Sequence, residues 1–117
     1  MVIGASANRA KFGNKAVRAY LRQGHEVLPV NPHESTIEGL AVFHSIESVP
    51  GPIDRATIYV PPQMGAAVVA ALAKRRDVGE VWFNPGSESP ELVEQATQAG
   101  LDVIQACSIV DIGEMPD

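Results

Sequence analysis

Short apolar runs alternate along this chain with amphipathic stretches, and Gly or Pro punctuates nearly every change. Residues 2–5 (VIGA), 26–30 (EVLPV), 56–60 (ATIYV), 80–83 (EVWF) and 101–105 (LDVIQ) have the length and composition of strands. Between them, Ala16, Val17, Tyr20 and Leu21 recur at helical spacing within residues 12–23, and Gly24 is placed to stop that helix. A second helix over residues 63–76 buries one face of AAVVAALAKRR and ends in cations suited to a helix C-terminus. Ser89 and Pro90 open a third as cap and first-turn proline, and Gly100 closes it. Residues 33–38 are polar, and residues 45–51 suggest a short helical turn or a connector.

The strands lack the alternation of a sheet wetted on one side, so both faces are covered, as in a parallel sheet with crossover helices. Right-handed crossovers then give an α/β, doubly wound parallel sheet of about five strands in the order 3-2-1-4-5, with helices on both faces. In such a sheet the carboxyl ends of the strands share one edge. The turns at Gly4, at Asn31-Pro32, at Pro61-Pro62 and at Asn84-Pro85-Gly86 would therefore ring one crevice.

The first of these turns carries the most chemistry. Residues 2–13, VIGASANRAKFG, run from strand through a glycine-bearing turn into a helix, where unpaired N–H groups and the helix dipole favour a phosphate. Gly4 and Ala5 keep side chains small there, while Ser6 and Asn8 either donate to phosphate oxygens or cap the helix. Arg9 and Lys11 are phosphate partners or plain surface cations. A dinucleotide of the NAD type meets two obstacles. Ser6 stands where the G-x-G-x-x-G pattern has its second glycine, and the second strand ends in Asn31, Pro32 and His33, with no carboxylate before Glu34.

Composition narrows the field. The 117 residues make one domain, residues 1–117, with 45% hydrophobic and 20% charged residues, an ordinary globular balance. A formal net charge of −5 argues against nucleic acid, so an anionic ligand must be held by local geometry. The single cysteine, Cys107, excludes an internal disulfide and a cysteine cluster for zinc. No apolar run approaches a membrane span and no signal peptide precedes the first strand, so a cytoplasmic setting is expected. Exposed edge strands are compatible with a homodimer, although no residue pattern specifies its interface.

GASANRAKFG, then PVNP at residues 29–32, VPP at residues 60–62 and WFNPGSES at residues 82–89 follow one another in the order and spacing of a known family. Over nearly its whole length the chain resembles the small stand-alone CoA-binding proteins, which are Rossmann-like and similar to the CoA-binding domain of succinyl-CoA synthetase alpha subunits. The resemblance implies coenzyme A or an acyl-CoA as ligand. It puts the phosphate loop on Gly4, Ala5, Ser6, Ala7 and Asn8, with Lys11 nearby. It puts the adenosine end on Val30, Asn31, Pro32 and His33. Val60, Pro61 and Pro62, with Phe83, Asn84 and Pro85, would border the diphosphate and the start of the pantetheine arm. The chain departs from the family pattern in three places: Arg9 replaces a proline, His33 replaces a lysine, and the usual helix and longer first strand do not precede the loop.

Other chemistry-bearing residues have simpler readings. Cys107 follows the last strand near a matching cysteine of relatives and reads as a small buried residue. Glu88 and Glu91 suit a helix first turn, and His25 and His44 lack convergent acids. The expectation is recognition of CoA without catalysis and without a metal; an NAD(P)-binding oxidoreductase-type domain or a ligand-free regulatory domain are the alternatives. If the loop holds a diphosphate, Ser6→Asp sets a carboxylate against it and abolishes CoA binding in calorimetry; undiminished affinity would remove the loop from the site.

Overall fold

The structure, a computed structural model, describes residues 1–116. Its elements in chain order are β1 (Val2–Ile3), α1 (Phe12–Arg22), β2 (Pro29–Val30), β3 (Thr36–Ile37), β4 (Leu40–Ala41), β5 (Ile53–Ile58), a 3-10 turn (Pro62–Met64), α2 (Gly65–Arg75), β6 (Val78–Phe83), α3 (Pro90–Gln98), β7 (Asp102–Gln105) and α4 (Ser108–Asp111). Five strands form one parallel sheet in the order β2-β1-β5-β6-β7. Outside β2, Phe43 forms a parallel bridge to Val30: its N–H donates to Pro29 O at 2.9 Å, and its carbonyl accepts from Asn31 N–H at 3.0 Å. With that bridge in third place, Phe43-β2-β1-β5-β6 is the expected 3-2-1-4-5 pattern, and β7 extends it at the far edge. The run at residues 56–60 thus falls within β5 and its exit, next to β1 at the centre of the sheet.

Strand alternation sends neighbouring residues of β1 to opposite layers. Val2 joins Val17, Tyr20 and Ile109 in a core beneath α1 and α4, whereas Ile3 joins Ile58, Val69, Leu72 and Phe83 beneath α2 and α3. Helices therefore cover both faces, the Rossmann-like arrangement. Ser89 caps α3 by accepting from Leu92 N–H at 3.2 Å, with Pro90 in the first turn. The left-handed backbone of Arg76 (φ 62°) ends α2.

The polar stretch at residues 33–38 contains more structure than its composition suggests. β3 and β4 pair antiparallel across Glu38 (φ 48°) and Gly39 (φ 78°), two consecutive left-handed residues of the kind a type I′ hairpin demands. Residues 45–51 form a connector without a regular helix. Arg75 holds it: Nη1 donates to the carbonyls of Ile46 (2.8 Å) and Val49 (2.6 Å). Nε and Nη2 of the same side chain form a bidentate pair with Asp77 at 2.9 and 3.0 Å. A guanidinium with only 9% of its side chain exposed thereby donates four of its five N–H groups.

The hydrogen bonds from Arg75 hold the Asp77 carboxyl below the usual carboxylate range. A lowered folded-state pKa stabilises above the unfolded value, and that contribution vanishes as pH falls through the folded value. Asp77→Asn is therefore expected to lower the urea midpoint relative to wild type at neutral pH. The gap should close as pH drops through and below the usual carboxylate range; a gap that does not change with pH would refute the pairing.

Candidate functional site

The chain changes sides of the sheet between its two central strands. After β1 it passes into α1 on one face, and after β5 into α2 on the other, which opens a crevice over the carboxyl ends of β1 and β5. An open groove of about 620 Å³ lies there, walled by the loop after β1, the start of α1, the turn after β2 and the turn after β5. A smaller pocket of about 250 Å³ continues from it on the α2 side, lined mostly by apolar groups including Ile3, Val30, Ile46, Val60 and Val68. The two share Gly4, Pro32, Val60 and Met64.

Two glycines set the loop. Gly4 has φ +84°, and a Cβ there would press to 3.0 Å from the Tyr59 carbonyl carbon and Val60 Cγ1. A Cβ on Gly13 would collide with the Gly4 carbonyl oxygen, so the first turn of α1 rests directly on the end of β1. Lys11 occupies the N-cap with extended backbone and gives no side-chain cap. Among the described residues, the N–H groups of Ser6, Phe12 and Gly13 have no protein acceptor, and all three residues line the groove. Ser6 Oγ accepts from Asn8 N–H and Asn8 Oδ1 from Ala10 N–H, both at 3.0 Å. These bonds fold the loop while leaving the Ser6 hydroxyl proton and the Asn8 amide free to donate.

The loop is braced from beneath. Asn14, fully buried, donates from Nδ2 to Ser6 O (2.9 Å) and Glu38 Oε2 (3.1 Å), and its Oδ1 accepts from Arg18 Nε at 2.7 Å. Arg18 also donates to Arg9 O, and Arg9 pairs with Glu38, both at 2.9 Å. The hairpin turn therefore reaches across to hold the loop. Asn31 ties the second turn to the first: Nδ2 donates to Ala5 O at 2.8 Å, while Oδ1 accepts from the N–H groups of His33 (2.7 Å) and Glu34 (3.0 Å).

The sequence model of the CoA binding domain matches residues 1–113. The chain belongs to the CoA binding domain family. It is 31% identical to the Acetate--CoA ligase [ADP-forming] II subunit alpha of Pyrococcus furiosus, over 88% of this chain and 25% of that protein. The chain thus spans about a quarter of that curated relative's length. A conserved hypothetical protein from Pyrococcus furiosus superposes with a TM-score of 0.85 at 37% identity, over 93% of this chain and 94% of that one. The dinucleotide forming Acetyl-coenzyme A synthetase 1 of Ca. Korarchaeum cryptofilum, solved in complex with phosphate and ADP, gives 0.77 at 29% identity, over 88% of this chain and 24% of that one.

Within this family member, Gly4, Ala5, Ser6, Lys11, Asn31, Pro32, His33, Val60 and Pro61 come together around the groove, and Val30 lines the adjoining pocket. Ala7 and Asn8 sit on the exposed outer part of the loop, and Pro62 begins the 3-10 turn. The turn after β6 is arranged differently. Phe83 is buried in the core, Pro85 is exposed, and none of Phe83, Asn84 and Pro85 lines the groove. Asn84 is spent internally: Nδ2 donates to Thr57 Oγ1 (2.6 Å) and Ile58 O (3.0 Å), and Oδ1 accepts from Ser108 N–H (2.9 Å).

Tyr59 and Met64 also line the groove and were not singled out from sequence, and Ala10, Phe12 and Gly13, within the run at residues 2–13, line it too. Burial pushes the Tyr59 phenol up to about 12, against its hydrogen bonds with Ser108 and Thr57, so it adds no negative charge beside an anion. Asn14 left a trace in the sequence: it lies one helical turn from Val17, and a polar residue on an apolar stripe requires buried partners. Cys107 is half-buried against the core under α1, and no cluster of three metal-ligating side chains occurs among the described residues.

Removing the brace should be costly. Asn14→Ala strands the Ser6 carbonyl and Glu38, and is expected to destabilise by about 1–3 kcal/mol in urea denaturation. A loss below about 0.5 kcal/mol would show that the loop holds its shape without it.

Proposed function

We propose that this chain binds coenzyme A or an acyl-CoA by its nucleotide-diphosphate portion, and that residues 1–117 act as one binding unit without turnover. The observation that carries the reading is the set of unpartnered N–H groups at Ser6, Phe12 and Gly13, beside Lys11 and next to an apolar pocket. A diphosphate suits those donors and the positive end of α1, while an adenine ring suits the pocket between Val30, Ile46 and Val68. Ser6, Asn8 and Lys11 add side-chain donors, Pro32 and His33 flank the ribose, and the turn at Val60-Pro61-Pro62 shapes the wall along which the pantetheine arm leaves. Asn84 supports that wall from behind through Ile58 O, and Phe83 lies in the core against which Val60 packs, while Pro85 stays at the surface of the turn after β6.

Membership of the CoA binding domain family and the likeness to a quarter of an acetate–CoA ligase subunit support the choice of ligand. No helix among the described residues is long and apolar enough to cross a membrane, which agrees with a cytoplasmic ligand. An NAD(P) reading draws on the sheet order alone, and the end of β2 offers no carboxylate to a ribose diol, since the Asn31 side chain is committed to backbone.

Thermal shift with CoA, acetyl-CoA, NAD and NADP tests the proposal. Ligand at about a hundred times Kd stabilises by about 2.7 kcal/mol, so CoA or acetyl-CoA should raise Tm by several degrees. A rise with the nicotinamide dinucleotides alone would replace the reading, and no rise with any of the four would end it.

A further inference from the structure

We propose that this site takes one diphosphate and does not select for a second phosphate on the ribose, so that 3′-dephospho-CoA binds as well as CoA itself. The inference rests on the CoA reading and adds to it a specificity that the charges around the site impose.

A ribose phosphate carries between one and two negative charges, and drawing it out of water is repaid only by cations or several aligned N–H donors. The groove supplies a cation on one side only. Lys11 and the unpartnered N–H groups of Phe12 and Gly13 all stand at the start of α1. The groove joins the apolar pocket at Gly4, Pro32, Val60 and Met64, and the ribose of a base seated in the pocket must lie near them; the polar side chains to either side are His33 in the groove and His44, Ser45 and Glu47 in the pocket. No lysine or arginine is among the residues lining the pocket, and Lys11 is the single one lining the groove. Glu47 works against a further phosphate.

The turn after β2 cannot act as a second anion cradle either. The N–H groups of His33 and Glu34 are already donated to Asn31 Oδ1, at 2.7 and 3.0 Å, and the His44 ring is held at 3.1 Å from Glu34 O. Other nearby cations lie at the α1 end, as Lys15 over the Phe12 ring does, or are committed or distant. Arg9 is paired with Glu38, and Lys74, Arg75 and Arg76 lie at the C-terminal end of α2, a helix whose N-terminus faces the crevice. With a formal net charge of −5, the surrounding field does not compensate.

Calorimetry of the full chain at about pH 8, where an imidazole is ordinarily neutral, tests this with CoA and 3′-dephospho-CoA as probes. Their Kd values should agree within about fivefold, the scale of one partly exposed charge pair. CoA binding more than about fivefold tighter than 3′-dephospho-CoA would overturn the inference while leaving the CoA reading intact. Binding of neither would overturn both. His33→Lys supplies a cation at the ribose and should shift the affinity ratio at least about fivefold toward CoA; an unchanged ratio would show that the ribose does not lie there.

Discussion

Main chain meets main chain where α1 begins, and the rest of the site depends on that contact. With no Cβ at Gly13, the first turn of the helix settles on the carbonyl of Gly4, which itself turns left-handed against Tyr59 and Val60. The helix dipole and its unpaired N–H groups are thereby aimed over the ends of β1 and β5, at the place where the chain changes faces. A side chain at either glycine would lift the helix start away from the sheet, and the donors would no longer converge.

Holding that geometry falls to three asparagine amides, two of them buried and that of Asn31 half-buried. Asn14, Asn31 and Asn84 each bridge segments distant in sequence: the loop to the hairpin, the second turn to the first, and β5 to α4. No buried side-chain polar atom among the described residues lacks a partner. Side-chain hydrogen bonding is used to fix loops, and main-chain N–H groups are left free to bind. That division suits a recognition surface: amides locked in a scaffold lose little freedom when an anion arrives.

Electrostatics follow the same local logic. In an acidic chain, Lys11 and the α1 terminus are concentrated on one wall of the groove, while Arg9 is tied back to Glu38 and burial raises the Tyr59 phenol. The pocket on the α2 side is mostly apolar, with His44, Ser45 and Glu47 as its polar side chains. The crevice therefore has a polarity along its length, with Lys11 and the α1 terminus at one end and a mostly apolar pocket at the other.

Legibility in the sequence differed by element. The helices were marked by capping residues, glycine stops and periodic apolar faces, and the structure places them within a few residues of those marks: Phe12–Arg22, Gly65–Arg75 and Pro90–Gln98. The hairpin of β3 and β4 was hidden, because its strands have two residues each and its left-handed turn begins on Glu38, where composition gives no cue. The loop after β1 and the turns after β2 and β5 could be read as one rim, since a parallel sheet gathers its strand ends. What composition could not reveal was the allocation of the asparagines: whether an Asn faces a ligand or a buried carbonyl depends on neighbours tens of residues away. By itself, then, the sequence determined the strand–helix rhythm, the parallel sheet and the glycine-bearing loop, because these follow from local periodicity and backbone stereochemistry. Tertiary structure alone decided that Ile53–Ile58 lies beside β1, that Asn84 turns inward, and which N–H groups stay unpaired, because such outcomes depend on packing between segments far apart in the chain.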